Sequence, residues 1–284
     1  MNSLKRFFDF ILFGNIYVAL GAVCLVQSTA IQLQLSDPFQ SYTTLVFFAT
    51  LFVYNFQRVF YKSPQDNSLN SIRRKWIFTN QITIKLLALV GFIGVLVCLF
   101  FSRNRMGLLY LSPLLVLSLL YFLPFIKLRK KPLLKLLTLS MVWTAATAVV
   151  PILLSSTEPF TQDNLLHILV RFCFMVAICI PFDIRDLQID KTDSVSTIPH
   201  VLGENNAKWL AFVCMLIYIG LIFLEYSFGI FGLKVFLALL LSAVVNSVLV
   251  LMSSSERSEY FYVAGLDGTM ILQGVLLMIA YYFI

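Results

Sequence analysis

Three carboxylates, Asp183, Asp186 and Asp190, stand at spacings i, i+3 and i+7 in the stretch FDIRDLQIDK, directly after the apolar run FMVAICIP. On a helix those offsets are rotations of about 300° and about 700°, so the three side chains share an arc of about 60° and run about 10 Å along one face. Three anions that close repel one another unless something neutralises them. Water at a membrane boundary does part of this, and Arg185 and Lys191 lie on neighbouring faces. A solvated helix end with local ion pairs is one reading. A divalent cation is the sharper one, because Mg²⁺ takes hard oxygen ligands, usually one or two carboxylates plus the phosphates of a substrate. On that reading Asp183, Asp186 and Asp190 are both the metal ligands and the catalytic groups.

The elements that must hold this row are membrane helices. The chain of 284 residues is 60% hydrophobic and 12% charged, with a mean hydropathy of +0.88. Soluble domains average about 45–50% apolar and about 25% charged residues. A spanning helix needs about 20 apolar residues. Nine transmembrane helices are therefore expected, roughly at 9–33, 41–61, 82–101, 106–126, 133–154, 164–182, 207–226, 229–252 and 260–284. The runs do not alternate as barrel strands do. The expected fold class is all-α, one polytopic bundle over residues 1–284.

Of the 21 Lys and Arg residues, 17 fall in segments on the N-terminal side of the membrane, against only Arg103 and Arg105 on the other. This asymmetry places the N-terminus and the acidic row in the cytoplasm and the C-terminus outside, in a bacterial inner membrane or its equivalent. The net charge of +7 thus reads as topology and headgroup attraction, and no soluble basic domain offers a nucleic-acid surface. Lys5 and Arg6 precede an apolar stretch long for a signal core and without a small-residue cleavage site, so a retained helix is expected. The five cysteines lie inside the spans without metal-ligand spacing and read as small buried residues.

Several polar residues fall within the spans. Arg171 lies about 16 Å before the end of the sixth span at 1.5 Å per residue and needs a partner there; Asp267 in AGLDGTM is the expected one. Asn15, Asn246 and Gln273 read as interhelical hydrogen-bonding groups. His167 is given no chemical role.

PFDIRDLQIDK and the following TDSVSTIPHVLGENNAKWL resemble the second aspartate-rich motif, and the loop after it, of the UbiA superfamily of intramembrane prenyltransferases. The likeness is nearest to the branch that prenylates naphthoate-type quinone precursors. It runs through the D-I-R-D-x-x-x-D-K core, the S-T-I-P-x-x-L-G turn and the A-K that opens the next helix. YFLPFIKLRKKPLLKL resembles the family's tyrosine-and-basic segment after the fourth helix. The resemblance implies a nine-helix bundle, Mg²⁺ as cofactor, and a polyprenyl diphosphate and a small aromatic or other lipid-precursor acceptor as partners. Lys127, Lys130 and Lys131 read either as diphosphate contacts or as lipid-headgroup contacts, and Lys191 as a further diphosphate contact.

The family's first motif, N-D-x-x-D-x-x-x-D, is missing. Its place is taken by YNFQRVFYKS, in which Asn55 matches the leading Asn while Phe56, Val59 and Ser63 stand where Asp is expected. Asn55, Arg58 and Lys62 repeat the i, i+3, i+7 spacing with basic residues. In one reading they bind diphosphate in place of one metal, since Arg holds a phosphate through two parallel hydrogen bonds and Lys adds a point charge. In the other, the basic row pairs with the acidic row and closes the site, which makes a non-catalytic protein that binds a prenyl lipid or a protein partner.

Overall fold

A computed structural model of the chain describes residues 3–35, 39–59, 71–102, 113–114, 116, 131–192 and 195–283. Its architecture is all-helical. The helices are α1 (Ser3–Phe13), α2 (Ile16–Leu33), α3 (Phe39–Val59), α4 (Ile72–Thr79), α5 (Gln81–Phe101), α6 (Pro132–Ser155), α7 (Gln162–Arg185), α8 (Leu187–Thr192), α9 (Ile198–Leu202), α10 (Glu204–Ser227), α11 (Leu233–Met252) and α12 (Phe261–Tyr282). Among the described residues, seven helices are long and apolar enough to cross a membrane: α2, α5, α6, α7, α10, α11 and α12. The 21-residue α3 packs between α2 and α5. The expected span at 106–126 lies almost wholly outside the described residues.

The first expected span is not continuous. Asn15 adopts φ 63°, and this left-handed residue separates α1 from α2; Asn is among the few side chains that tolerate the region. The lysine- and arginine-bearing α1 leaves Leu4, Phe7 and Phe8 exposed, while α2 enters the core. Short helices also lie between the long ones: α4 between α3 and α5, and α8 and α9 between α7 and α10.

Local chemistry sets the ends of the elements. Ser71 caps α4 by accepting from the Arg74 amide at 3.2 Å. Thr161 caps α7 by accepting from the Asn164 amide at 3.3 Å. Pro132 occupies the first turn of α6, where its missing N–H costs nothing. Around the bundle, α5 packs on α3, α3 on α2, α2 on α12, α12 on α11, α11 on α10, α10 on α7 and α7 on α6; α6 returns to α2. Small residues permit the closest approaches: a Cβ on Gly274 of α12 would stand 2.6 Å from Cys24 Cβ of α2. In lipid, where apolar surface gives helices no reason to associate, such close packing supplies much of the attraction.

Candidate functional site

A cavity of about 490 Å³ lies among α2, α3, α6, α7 and α12, within the range of about 300–1,000 Å³ typical of small-molecule sites. It follows α3 from Tyr42 to Arg58, a path of about 24 Å at the helical rise, so it is long and narrow. Its walls are mainly aliphatic, with Tyr42, Tyr54, Trp143 and Phe182 as the aromatic members. Trp143 Nε1 donates to Tyr54 Oη at 3.1 Å. Two π-helical turns, Ala145–Val149 in α6 and Phe261–Leu266 in α12, contribute wall residues. Such turns disturb the regular carbonyl ladder and often mark functional sites. Neighbouring hydroxyls take up carbonyls in them: Tyr42 donates to Ala146 O at 2.6 Å, Thr29 to Thr147 O at 2.7 Å and Tyr17 to Ala264 O at 3.2 Å.

The charged lining residues gather at one end, where α3 and α7 finish and α6 begins: Arg58, Arg73, Lys135, Asp183, Arg185, Asp186 and Asp267. The structure divides the acidic row. Lys135 Nζ lies 2.8 Å from Asp183 Oδ1 and 2.9 Å from Asp190 Oδ2, with all three side chains under a tenth exposed. Asp186, the C-cap of α7, turns instead to Arg185, which donates to both of its oxygens at 2.8 and 2.7 Å, and to Arg73 at 3.5 Å. Burial alone would raise the Asp186 carboxyl. The charge and hydrogen bonds of Arg185, then Arg73 and Lys135, overcome that and hold it well below the usual carboxylate range. Glu259 extends the network to Arg73 at 3.5 Å and Arg185 at 3.9 Å, and accepts from Ser71. Arg185 is further held over the rings of Phe182 and Tyr262, 5.0 and 5.7 Å from their centroids.

This geometry bears on the expected ligands. Among the described residues, no three His, Cys, Asp or Glu side chains stand close enough together to share a metal ion, because Asp186 is drawn away by Arg185. Asp183 and Asp190 do converge on one cation position, the point taken by the Lys135 ammonium. These two hard-oxygen donors fit one Mg²⁺ at that point, with phosphate oxygens and water completing its octahedral shell.

Within the basic row, Asn55 does not reach the cavity. It is fully buried. Its Oδ1 accepts from Asn15 Nδ2 at 3.0 Å, and its Nδ2 donates to Gly14 O at 3.0 Å and Leu51 O at 2.8 Å. Those bonds occupy both amide hydrogens and clasp the α1–α2 break, so no donor is left for a diphosphate. Arg58, one turn on, reaches the cavity and also donates to Phe13 O. Lys62, Lys127 and Lys130 fall outside the described residues, and only the backbone of Lys191, in α8, is described. Sequence reasoning missed Lys135 and Arg73 as site residues. Each sits in a basic segment that reads as topology, and neither has a periodic link to the acidic row.

Asp267 is also relocated. It lines the cavity from α12, whereas Arg171, its expected partner, donates to Leu25 O at 3.3 Å and to Ser28 and Thr29 at 3.2 Å each. The acid beside Arg171 is Glu225 of α10, itself 2.9 Å from His167 Nδ1.

No family model and no curated protein matches the sequence. Solved structures do match. A UbiA homolog from Aeropyrum pernix K1 superposes with a TM-score of 0.66 at 15% identity, over 92% of this chain and 97% of that one. A UbiA homolog from Archaeoglobus fulgidus, solved bound to DMAPP and Mg²⁺, gives a TM-score of 0.62 at 12% identity, over 97% of this chain and 100% of that one. A digeranylgeranylglyceryl phosphate synthase gives a TM-score of 0.56 at 15% identity, over 99% of this chain and 98% of that one. The chain therefore has the UbiA fold, an all-helical polytopic membrane bundle.

Proposed function

We propose that the protein is a Mg²⁺-dependent prenyltransferase. It would move a polyprenyl group from its diphosphate to an aromatic or other lipid-precursor acceptor in the membrane, with its charged end facing the cytoplasm. The observation that carries this reading is the cavity itself. Its long apolar channel suits an isoprenoid chain, and its one charged end joins carboxylates to Arg58, Arg73, Lys135 and Arg185. The Archaeoglobus fulgidus protein of the same fold binds a prenyl diphosphate with Mg²⁺.

Ionisation of an allylic diphosphate breaks its C–O bond and leaves the electron pair on the departing diphosphate. Guanidinium and ammonium groups stabilise that charge best when preorganised in a site that excludes water. Arg185, fixed on Asp186 and two rings, and Arg58, fixed on the Phe13 carbonyl, are so organised. Asp183 and Asp190 would hold Mg²⁺, which supplies Lewis-acid neutralisation of the leaving group. The faces of Tyr54 and Trp143 on the cavity wall can stabilise the allyl cation and keep water from it. When the acceptor's carbon attacks, the bond to the allyl carbon forms and one proton must leave the acceptor. The Asp267 carboxylate on the α12 wall is the group suited to take it.

One observation favours a second reading. The carboxylates are already paired with protein cations, as in a closed, non-catalytic bundle that binds a prenyl lipid. Calorimetric titration of geranyl diphosphate into the detergent-purified protein, with and without Mg²⁺ and alongside Asp183→Asn, separates the two. Binding that needs both Mg²⁺ and Asp183 is the expected result. Absence of binding under every condition refutes the transferase reading.

A further inference from the structure

Resting on the prenyl-diphosphate reading, we propose that Lys135 is an exchangeable resident cation. It holds the Asp183–Asp190 pair until a divalent ion takes that position, and its displaced ammonium then becomes a diphosphate donor in the same cavity. Three observations carry this. The Lys135 ammonium bridges two carboxylates that come from different helices, α7 and α8. A second cation cannot share a point already filled at 2.8 and 2.9 Å. Lys135 also lines the cavity alongside Arg58 and Arg73. A lysine ammonium is a point charge on a flexible four-carbon stem, so it can leave the aspartates and remain within reach of an anion at the cavity mouth.

Charge balance gives the exchange a purpose. At this end, among the described residues, Asp183, Asp186, Asp190, Glu259 and Asp267 face Arg58, Arg73, Lys135 and Arg185. Five carboxylates meet four cations, so a diphosphate meets no attractive net charge. Entry of one divalent ion at the Asp183–Asp190 position adds two positive charges and frees an ammonium to donate. The site becomes attractive to a diphosphate only when the metal is present. In this way one metal and one lysine can do work that a second carboxylate-bound metal would otherwise do, which suits a chain with no aspartate at 55–59.

The test measures two affinities with opposite expected signs. Mg²⁺ alone is titrated calorimetrically into the purified full-length protein in detergent, as wild type, Lys135→Met and Lys135→Arg. Geranyl diphosphate is then titrated at saturating Mg²⁺. Lys135→Met is expected to bind Mg²⁺ at least tenfold more tightly than wild type, and geranyl diphosphate at least tenfold more weakly; Lys135→Arg stays near wild type for Mg²⁺. A merely structural lysine would weaken both or neither. Removing a buried lysine also leaves two facing carboxylates that repel and lower stability, so the melting temperature of Lys135→Met is followed against Mg²⁺. Recovery with Mg²⁺ supports the exchange, and a melt that Mg²⁺ leaves unmoved overturns it. Mg²⁺ affinity in Lys135→Met equal to or below wild type also overturns it, while leaving Mg²⁺- and Asp183-dependent diphosphate binding intact. Conversely, loss of the prenyl reading shows as no diphosphate binding by any variant, a result the Mg²⁺ titration alone does not depend on.

Discussion

His167 and Glu225 form a buried pair whose removal should be among the most damaging changes in the bundle. Their side chains are 1% and 0% exposed, with His167 Nδ1 2.9 Å from Glu225 Oε1. The proton count is fixed by the neighbours. The Thr29 hydroxyl gives its single hydrogen to Thr147 O at 2.7 Å, so at His167 Nε2, 3.1 Å away, it can only accept. Nε2 therefore carries a hydrogen. Nδ1 and a carboxylate oxygen at 2.9 Å need a further proton between them, as imidazolium with carboxylate or as imidazole with carboxylic acid; the pair is neutral as a whole in either case. His167→Ala takes away that partner while Glu225 Oε2 has none in the structure. Breaking a buried pair from one side costs about 3–5 kcal/mol. Glu225→Gln keeps the shape and offers an amide hydrogen to Nδ1, so it should cost about 1 kcal/mol. The double variant His167→Leu/Glu225→Met removes the stranded acid but also the carboxylate beside the buried Arg171, so it should recover only part of the loss seen in His167→Ala. Equilibrium unfolding in mild detergent, followed by the fluorescence of Trp76, Trp143 and Trp209, reads all four proteins. A His167→Ala protein as stable as wild type, or a double variant no better than the single, would refute the reasoning.

Three further outcomes are expected. Gly274→Ala forces α12 off α2, because its new Cβ meets Cys24 Cβ, O and Cα at 2.6, 2.8 and 2.9 Å; the cost is about 1–3 kcal/mol. Gly220→Ala, with nothing within 4 Å of its Cβ, should instead gain up to about 1 kcal/mol from helix propensity, and melting temperatures compare the two. Asp267→Asn should leave Mg²⁺-dependent geranyl diphosphate binding within twofold of wild type and slow transfer to an aromatic acceptor by about 10²–10⁴-fold, the usual worth of a general base; unchanged turnover removes Asp267 from the chemistry. Asp186 is held below the ordinary carboxylate range by Arg185 and Arg73 against its burial, so its ion pair contributes fully above an unfolded value of about 3.9 and is lost only as pH falls through the lower folded value. The melting-temperature gap between wild type and Asp186→Asn should therefore hold steady from pH 8 to pH 5; a gap that closes across that interval contradicts the pairing.

Hydropathy located the described spanning helices because each is an unbroken apolar run, a property of one segment by itself. It did not find the break at Asn15. A single left-handed residue leaves hydropathy unchanged, and the clasp that stabilises it comes from Asn55, 40 positions away. The same clasp explains why Asn55 looked like a ligand residue. Its type and its position near the end of α3 suit a phosphate contact, but the bonds that consume its amide are made across helices.

The acidic row shows the same limit more sharply. Periodicity puts Asp183, Asp186 and Asp190 on one helical face, and α7 with α8 nearly continues that face, the Asp190 amide donating to Asp186 O at 2.8 Å. A shared face does not decide what each carboxylate meets. Arg185 is adjacent in sequence and captures Asp186 locally, an interaction that could be read from the chain. Lys135 reaches Asp183 and Asp190 from a helix that begins some fifty residues earlier, and which cation arrives there depends on how α6 packs against α7. In a basic segment otherwise explained by membrane topology, no lysine announces itself as the one that turns inward. The chemistry of such a site is set by the pairing of charges between helices, so a metal row inferred from one helix must be tested against the cations that its neighbours bring.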